Sequence, residues 1–500
     1  MITNMSLGEL LNDNRVRNWL LGIILVIGII LRIRYYFVDF SFFFDECALS
    51  VNYEERSYSQ LLQTLRFEQA APIGFLYLQK LIGSILNFDE MHQRLLPLLC
   101  SISALGAFFL LTKKIFTGHA IVAANLLMAA NYSAIKYAGL AKQYSLELLI
   151  SSLMLWLSAT LLDPRAKSRT YWIAGLLLGL FPLFSFTSIF VLAGIGLAIL
   201  LNKIWIQRDW NLRQEILLFV LWGALLLPIY WFTFRPGMAN SVLKGMWTWH
   251  FFPIGQLTAA PQWFYTKFQE VSALAFNLRF WVLGGICLLS GVVGAIVRRD
   301  LLVLAASGGI LACLFASVLQ KYPFYGRLLL FLMPAFIILI VTGFEYLRSL
   351  LPRKAQIPAM VFATLILAWC GGSAVKTYSV RSRNMDEPRE LMEFMKASWR
   401  DGDRLYSTYM ATPCTVYYAP RFQISGSDVD LDVSAVDVSK RPPSKLSVPV
   451  KSGRAWLIEF HIPFDEQPEW IPVRSYFDSR GKLLARKDVE MSTISLYQVE

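Results

Sequence analysis

Apolar runs long enough to cross a membrane recur along most of the chain, from residue 19 to residue 375. A helix needs about 20 such residues to span a bilayer, and in lipid the backbone must satisfy its own hydrogen bonds. Of the 500 residues, 56% are hydrophobic and only 16% are charged, whereas soluble domains have about 25% charged residues. The sequence therefore predicts an α-helical polytopic membrane protein.

About eleven transmembrane helices are predicted from these runs. Their approximate ranges are 18–38, 93–112, 119–135, 143–162, 170–186, 187–201, 215–234, 279–297, 301–319, 328–347 and 355–375. The fifth and sixth are short, and Pro182 interrupts them, so tilted, kinked or partly re-entrant helices are alternatives there. The first apolar run lacks a small-residue cleavage pattern, and we expect it to stay as the first span.

The net charge of +12 comes largely from basic residues in short loops between the apolar runs. This pattern orients membrane proteins with their basic loops in the cytoplasm, so nucleic-acid binding is not predicted. The loops carry Arg15, Arg17, Lys113, Lys114, Arg165, Lys167, Arg169, Lys203, Arg208, Arg213, Arg298, Arg299, Arg348, Arg353 and Lys354. A cytoplasmic N-terminus follows, with the loop 39–92 and everything after residue 376 outside the cytoplasm.

Two parts are predicted: a membrane part, 1–375, and a small extracytoplasmic α/β domain, 376–500. In the loop 39–92, residues 57–66 and 72–86 read as amphipathic helices on the membrane surface. The aromatic-rich loop 235–278 is predicted to be an aromatic belt at the membrane interface, with a lid or a substrate-binding loop as the alternative.

In the C-terminal part, charge rises and apolar runs shorten. The patterns predict a helix over Glu390–Trp399, strands over Arg404–Tyr409, Ala455–His461 and Thr493–Val499, and a loop over 428–453. We find no catalytic constellation in this part.

The six cysteines and four histidines are scattered along the chain. No cysteine pair has metal-ligand spacing, so the cysteines are expected to pack as small apolar residues, and no histidine-based metal site is predicted. A divalent cation held by carboxylates stays open, and no other cofactor is implied.

Four polar sets stand at the predicted extracytoplasmic ends of the spans. They are Asp45-Glu46, Glu68-Gln69, the run from Lys142 through Tyr144 to Glu147, and the run from Lys321 through Tyr325 to Arg327. Carboxylates there can act as a general base or bind a cation, and Lys and Arg can bind a phosphate. Each set also has an ordinary explanation: snorkelling cations, a helix N-terminus that favours Glu147, or a solvated Glu68. Because all four sets are predicted to lie on the same side of the membrane, a single functional site that they share is favoured over four independent explanations.

The order of motifs resembles the GT-C glycosyltransferases. An aromatic-Asp-Glu run is followed by a Leu-rich stretch, then by Glu68-x-Ala-Ala-Pro-x-x-Phe, then by Arg94-Leu-Leu-Pro opening a span. The chain is similar to the protein O-mannosyltransferase and aminoarabinose transferase group, bacterial type, most clearly over residues 19–160 and again at Tyr325-Gly-Arg-Leu.

The resemblance implies an inverting glycosyltransferase of a bacterial inner membrane that uses a polyprenyl-phosphate-linked sugar. Asp45 would be the general base, with Glu46 and Glu68 as the other acids of the catalytic group. Since Glu46 is adjacent to Asp45, its side chain must point elsewhere, and we expect a supporting or structural role for it. The donor phosphate would be bound by Lys142, Arg327 and Lys321, with support from Gln69, Tyr144, Glu147 and Tyr325.

Two positions depart from the family pattern. Gln69 stands where aminoarabinose transferases have Lys, which weakens the case for that sugar, and Lys142 stands where many bacterial relatives have Arg. The acceptor, whether glycan, lipid or protein, stays open, although no lumenal repeat domain supports a protein. The alternatives are a transporter or flippase, or a polymerase or ligase, of lipid-linked glycans.

Overall fold

The computed structural model describes residues 14–38, 41–235, 247–276, 281–360, 387–435, 443, 445–460, 470–489 and 491–500. Within these ranges, seven helical stretches are long and apolar enough to cross a membrane. They are Asn14–Tyr36, Glu90–Ile115, Tyr144–Leu162, Ser188–Ile206, Arg213–Phe234, Leu301–Val318 and Gly326–Leu350. The helical membrane architecture predicted from the apolar runs is thus confirmed.

Besides the helical residues 353–360, the membrane part contains fourteen α-helices in the described ranges. They are α1 (Asn14–Tyr36), α2 (Phe44–Glu55), α3 (Ile73–Ile85), α4 (Glu90–Ile115), α5 (Gly118–Ala129), α6 (Tyr132–Lys136), α7 (Tyr144–Leu162), α8 (Ser168–Leu180), α9 (Ser188–Leu201), α10 (Arg213–Ile229), α11 (Ala260–Phe276), α12 (Trp281–Arg298), α13 (Leu301–Val318) and α14 (Met333–Leu350).

Helices α5 and α8 are shorter than the predicted spans 119–135 and 170–186 that they overlap. A 3-10 turn at Phe181–Leu183, which contains Pro182, separates α8 from α9, because proline cannot continue the hydrogen-bonding ladder of the helix before it. The predicted span 355–375 lies mostly outside the described residues, of which 353–360 are helical.

Close packing of helices in the membrane part depends on glycine. A Cβ atom on Gly194 in α9 would clash with the Ala305 carbonyl oxygen in α13, and one on Gly343 in α14 would clash with the Cys287 carbonyl oxygen in α12. Without a strong hydrophobic drive between helices in lipid, such small residues allow close backbone approach and dispersion contact. These contacts hold the bundle that carries the polar helix ends.

The first long loop differs from its prediction. Residues 57–66 contain only a 3-10 turn, Gln60–Leu62, so the amphipathic helix expected there is wrong. Asn52 explains the difference, because its side chain accepts from the Arg66 N–H at 2.8 Å and donates to the Arg66 carbonyl at 3.1 Å. These hydrogen bonds hold the end of the segment against α2, and its backbone does not form a continuous helix. The second stretch is helical, as α3.

The C-terminal region, residues 387–500, contains a five-stranded sheet. The strands are β1 (Arg404–Thr408), β2 (Val429–Val433), β3 (Gly453–Phe460), β4 (Gly481–Val489) and β5 (Ser492–Val499), and the helices are α15 (Pro388–Ser398), α16 (Thr412–Tyr418) and α17 (Trp470–Arg480). The order is β2-β1-β3-β5-β4, with β1 parallel to β2 and β3, and β5 antiparallel to β3 and β4.

The three predicted strands and the helix α15 are present, whereas β2 and β4 were not predicted. β2 lies within the segment 428–453 expected to be a loop. Both are edge strands with mostly half-exposed or exposed residues, and charged edge strands lack the apolar run that marks a central strand. The boundary placed at residue 375 falls outside the described residues.

The C-terminal region packs against the loop that carries the acidic pair. One apolar core joins Phe42, Cys47 and Val51 of this loop to Leu391, Met392 and Met395 of α15. Tyr417 of α16 lies against Phe42, with ring centroids 5.1 Å apart. The first turn of α2 is therefore enclosed between the membrane helices and the C-terminal region.

Candidate active site

Glu46, the second acid of the pair, is fully buried in an ion pair with Arg94 of α4. Arg94 Nε and Nη2 donate to the two carboxylate oxygens at 3.0 and 2.8 Å, and the Ala141 N–H donates to Oε1 at 2.6 Å. Arg94 also donates to the Ser41 carbonyl at 3.0 Å. A buried carboxylate with this many hydrogen-bond donors fixes the positions of the segments that it joins, which agrees with a supporting role for Glu46.

Asp45, one residue earlier, points to another partner. Its Oδ2 lies 2.8 Å from Arg327 Nη1, and the two side chains are 16% and 28% exposed. Burial opposes ionisation of Asp45, but the charges of Arg327 and Lys142 outweigh it and hold the pKa of the carboxyl below its ordinary value. The side chain is thus an ionised carboxylate that ligands can reach.

Lys142 connects the acidic pair to the Glu68-Gln69 segment. Its buried Nζ donates to Gln69 Oε1 at 2.9 Å and approaches the Asp45 carbonyl oxygen at 3.4 Å. Burial lowers the pKa of Lys142, although the Asp45 charge opposes that effect. Each of the four polar sets predicted from the sequence therefore contributes a residue to one cluster. These residues are Asp45, Gln69, Lys142 and Arg327.

Glu68 lies on strained backbone beside this cluster. Phe67 and Glu68 have φ values of 58° and 54°, a left-handed conformation that costs non-glycine residues about 1–3 kcal/mol and often marks functional loops. Glu68 is half-buried, and its side chain has no hydrogen bond or ion pair among the described residues. Gln69 Nε2 donates to the Phe67 carbonyl at 3.1 Å. This backbone conformation places the Glu68 carboxylate, which has no partner among the described residues, next to Gln69.

Sequence reasoning missed two residues of α6 and the turn after it. Burial and the nearby Arg327 charge lower the pKa of Lys136, which is half-buried and makes no hydrogen bond within the described ranges. Tyr137 lies edge-on to Tyr144 at 5.0 Å, and burial raises its pKa to about 12. Their proximity to Lys142 in sequence was the available signal.

An aromatic group flanks Arg327 on another side. The Tyr325 and His250 rings stack 3.7 Å apart, and the Arg327 guanidinium lies 5.8 Å from the centre of the Trp247 ring. Lys267 lies 5.1 Å from the centre of the Tyr325 ring. Burial and the Lys267 charge lower the pKa of His250 to about 4, so its imidazole is neutral at pH 7. Part of the predicted aromatic loop therefore borders the cluster.

The side chains of two predicted residues make no hydrogen bond or ion pair with the cluster among the described residues. Glu147 is buried in α7 without a hydrogen bond from its side chain to any described residue. Lys321 is exposed, and its side chain has no ion pair in the described part of the chain. Their predicted roles stay predictions.

The cluster has no evident metal site. In the ranges that the structure describes, no group of three or more His, Cys, Asp or Glu side chains is placed to hold a metal ion. The cations of Arg327, Lys142 and Lys136 instead outnumber the carboxylates of Asp45 and Glu68. The arrangement is therefore suited to an anion.

Comparison with known proteins agrees with this architecture. The family model for dolichyl-phosphate-mannose-protein mannosyltransferases matches residues 70–231, and no curated protein sequence matches the chain. The crystal structure of ArnT from Cupriavidus metallidurans in the apo state is similar with a TM-score of 0.56 and 12% identity, covering 97% of this chain and 98% of that one.

Two further solved structures show the same likeness. ArnT from Cupriavidus metallidurans bound to undecaprenyl phosphate has a TM-score of 0.52 and 11% identity, with 97% and 98% coverage of the two chains. The Archaeoglobus fulgidus oligosaccharyltransferase complex with Zn and sulfate has a TM-score of 0.53 and 14% identity, covering 80% of this chain and 61% of that one.

The protein is a multi-pass membrane protein with the GT-C fold. Within that class it is similar to the protein O-mannosyltransferase and ArnT group, and the resemblance seen in the sequence is confirmed.

Proposed function

We propose that the protein transfers a sugar from a polyprenyl-phosphate donor to an acceptor hydroxyl outside the cytoplasm, with inversion at the anomeric carbon. The observation that carries this proposal is the contact of Asp45 with Arg327 at 2.8 Å, in a cluster with a surplus of cations. A base and a phosphate-binding cation side by side are the two groups that such a transfer needs.

In the proposed reaction, Asp45 accepts the proton of the acceptor hydroxyl while the acceptor oxygen bonds to the anomeric carbon. The bond from that carbon to the phosphate oxygen breaks, and polyprenyl phosphate leaves with the electron pair. Since a phosphate ester is already a stable leaving group, no strong acid is required. Arg327 stabilises the charge that develops on the leaving oxygen.

Donor binding also activates Asp45 in this scheme. In the free protein, Arg327 lowers the basicity of the carboxylate that it contacts. A bound phosphate neutralises part of the Arg327 charge, so the proton affinity of Asp45 rises when the donor is present. Arg327 Nε is buried and has no hydrogen-bond partner among the described residues, so it is proposed to donate to such a phosphate, and Lys136 and Lys142 add charge.

Apolar side chains adjoin the cationic cluster on the Gln69 side. A small open depression there is lined by Leu61, Leu62, Gln63, Leu65, Gln69, Ala70, Ala71, Ile73, Leu76, Phe186, Phe232 and Thr233. Gln69 is also the partner of Lys142, so these apolar residues lie next to the proposed phosphate-binding cations.

The decisive experiment incubates the purified protein with polyprenyl-phosphate sugars and candidate acceptors. We expect acceptor-dependent release of polyprenyl phosphate and a product with inverted anomeric configuration by NMR. Mass spectrometry of surface glycans from cells with and without the gene identifies the sugar and acceptor. Movement of intact lipid-linked glycan across vesicles, without bond cleavage, would instead show a flippase.

The orientation is a separate part of the proposal, supported by the basic loops. A reporter fused after residue 380 should lie outside the cytoplasm, where the C-terminal α/β domain is proposed to be. A cytoplasmic reporter would place the Asp45 cluster on the wrong side for the proposed reaction.

A further inference from the structure

The backbone just before Asp45 is held by the C-terminal region. Ser41 donates from its backbone N–H and from Oγ to Glu387 Oε2, at 3.3 and 2.7 Å. The Phe42 N–H donates to the Tyr418 hydroxyl at 2.7 Å. Both Ser41 and Phe42 are fully enclosed. The entry into α2 is thus bonded to residues more than three hundred positions away.

Tyr418 extends this connection to the membrane helix α4. Its hydroxyl donates to Glu90 Oε1, and Glu90 Oε2 pairs with Arg389 Nη1 at 2.8 Å. One turn along α4, Arg94 donates to the Ser41 carbonyl. The hydroxyl of Tyr418 therefore lies where α2, α4 and α16 meet, with its donor and acceptor capacities both in use.

Apolar contacts reinforce the same junction. The buried Phe42 ring lies 5.0 Å from the Arg94 guanidinium on one side and 5.1 Å from the Tyr417 ring on another. The position of the α2 N-terminus, and so of Asp45, is set jointly by the membrane part and the C-terminal region.

We propose that Tyr418 is a positioning residue for Asp45, so that the C-terminal region completes the active site. The inference rests on the proposed role of Asp45 as the base. Removing the hydroxyl leaves the buried Phe42 N–H without its acceptor, and the segment then shifts or admits water. A displacement of about 1 Å at a reacting group can cost up to about a hundredfold in rate.

The test compares Tyr418→Phe with Tyr417→Phe. Each substitution removes one hydroxyl from α16, but the Tyr417 hydroxyl donates to the Phe88 carbonyl at 2.9 Å, away from the segment that enters α2. We expect Tyr418→Phe to lower kcat about tenfold with donor KM changed less than about twofold. Tyr417→Phe should leave both constants near the wild-type values, and the two variants should melt at similar temperatures.

A second variant keeps the inference testable if Tyr418→Phe does not fold. Glu387→Ala removes the bonds to Ser41 from another residue, and the same loss of kcat at constant KM is expected. Equal kcat for both tyrosine variants, or a wild-type kcat for Glu387→Ala, would overturn the positioning role.

Asp45→Asn in the same assay separates the two proposals. An active wild type, an inactive Asp45→Asn variant and an unaffected Tyr418→Phe variant would refute positioning alone. A wild type without transfer activity would refute both.

Discussion

Two neighbouring acids of one helix form ion pairs of opposite character. In the closed pair, Glu46 and Arg94, the side chains are 0% and 5% exposed. In the open pair, Asp45 and Arg327, they are 16% and 28% exposed, and Arg327 Nε has no hydrogen-bond partner in the part of the chain that the structure describes. The closed pair is surrounded by backbone donors and acceptors, whereas the open pair lies near Glu68 and Lys136, whose side chains have no hydrogen bond or ion pair with any described residue.

The closed pair is suited to stabilising the fold, whereas the open pair is suited to binding and reacting with a substrate. A buried pair loses its solvation permanently, so removing one partner is costly for the fold. An accessible pair can exchange its partner for a substrate at little cost, because water and ligands reach it. Similar residue types in adjacent positions therefore serve different purposes, and substitutions should reveal the difference.

The largest expected effect is the loss of transfer in Asp45→Asn. The substitution keeps the shape of the side chain and removes its basicity, so we expect the rate to fall by about 10²–10⁴-fold. Donor binding and the melting temperature should stay close to wild type. Wild-type turnover would move the base to Glu68 or Glu147, or would exclude this kind of enzyme.

Glu46→Gln should show the reverse pattern. It removes the carboxylate that contacts the buried Arg94 at two oxygens, and we expect the free energy of unfolding to fall by about 3–5 kcal/mol. Chemical denaturation in detergent measures the loss, and activity per folded molecule should fall less than in Asp45→Asn. A stable but inactive Glu46→Gln variant would contradict the division between the two pairs.

Arg327→Ala tests whether the open pair binds the donor. Charge-assisted hydrogen bonds contribute about 1.5–3 kcal/mol, so donor affinity should weaken by roughly tenfold or more while the fold persists. Unchanged affinity, measured with a polyprenyl phosphate in detergent, would assign the residue to snorkelling at the interface.

The same variant should change the pH dependence of kcat/KM. Because Arg327 helps to hold the pKa of Asp45 down, the wild-type profile should stay level from pH 7 to about 5, above the ordinary carboxyl pKa of about 3.9. Ionised Asp45 contributes stability above its unfolded pKa, and that contribution is lost only as the pH falls through the lower folded value. In Arg327→Ala the acid limb should move to higher pH, and an unmoved limb would exclude Asp45 as its source.

The smallest effect is expected for Lys136→Ala. The lysine is half-buried and has no fixed partner in the described ranges, so its charge should contribute about 0.7 kcal/mol, or about threefold in donor KM, and less at high salt. Lys321→Ala, at an exposed position, is the matched control. A larger increase in donor KM for Lys321→Ala than for Lys136→Ala would show that Lys321, and not Lys136, contributes to donor binding.

The helices and strands that were predicted correctly are those marked by a local pattern of apolar residues. Apolar length predicted α1, α4, α7 and α13 closely, because a membrane helix depends mainly on its own composition. In the C-terminal region, apolar runs predicted β1, β3 and β5. The edge strands β2 and β4 escaped prediction, since their pairing depends on a neighbour and not on their own hydrophobicity.

The acids and most cations of the site were also visible in the sequence, as polar residues at the ends of apolar spans. The sequence alone could not assign Arg94 to Glu46 and Arg327 to Asp45, because both arginines open spans and either could face either acid. Burial decides that assignment, and burial depends on where the tertiary structure places Arg94 of α4, and Arg327 in the 3-10 stretch Gly326–Leu332, relative to α2. For Lys136 the only sequence signal was its proximity to Lys142, and the tertiary structure shows that it also lies near Arg327. Tyr418 became visible only in the tertiary structure, because its importance depends on contacts with residues distant in the chain.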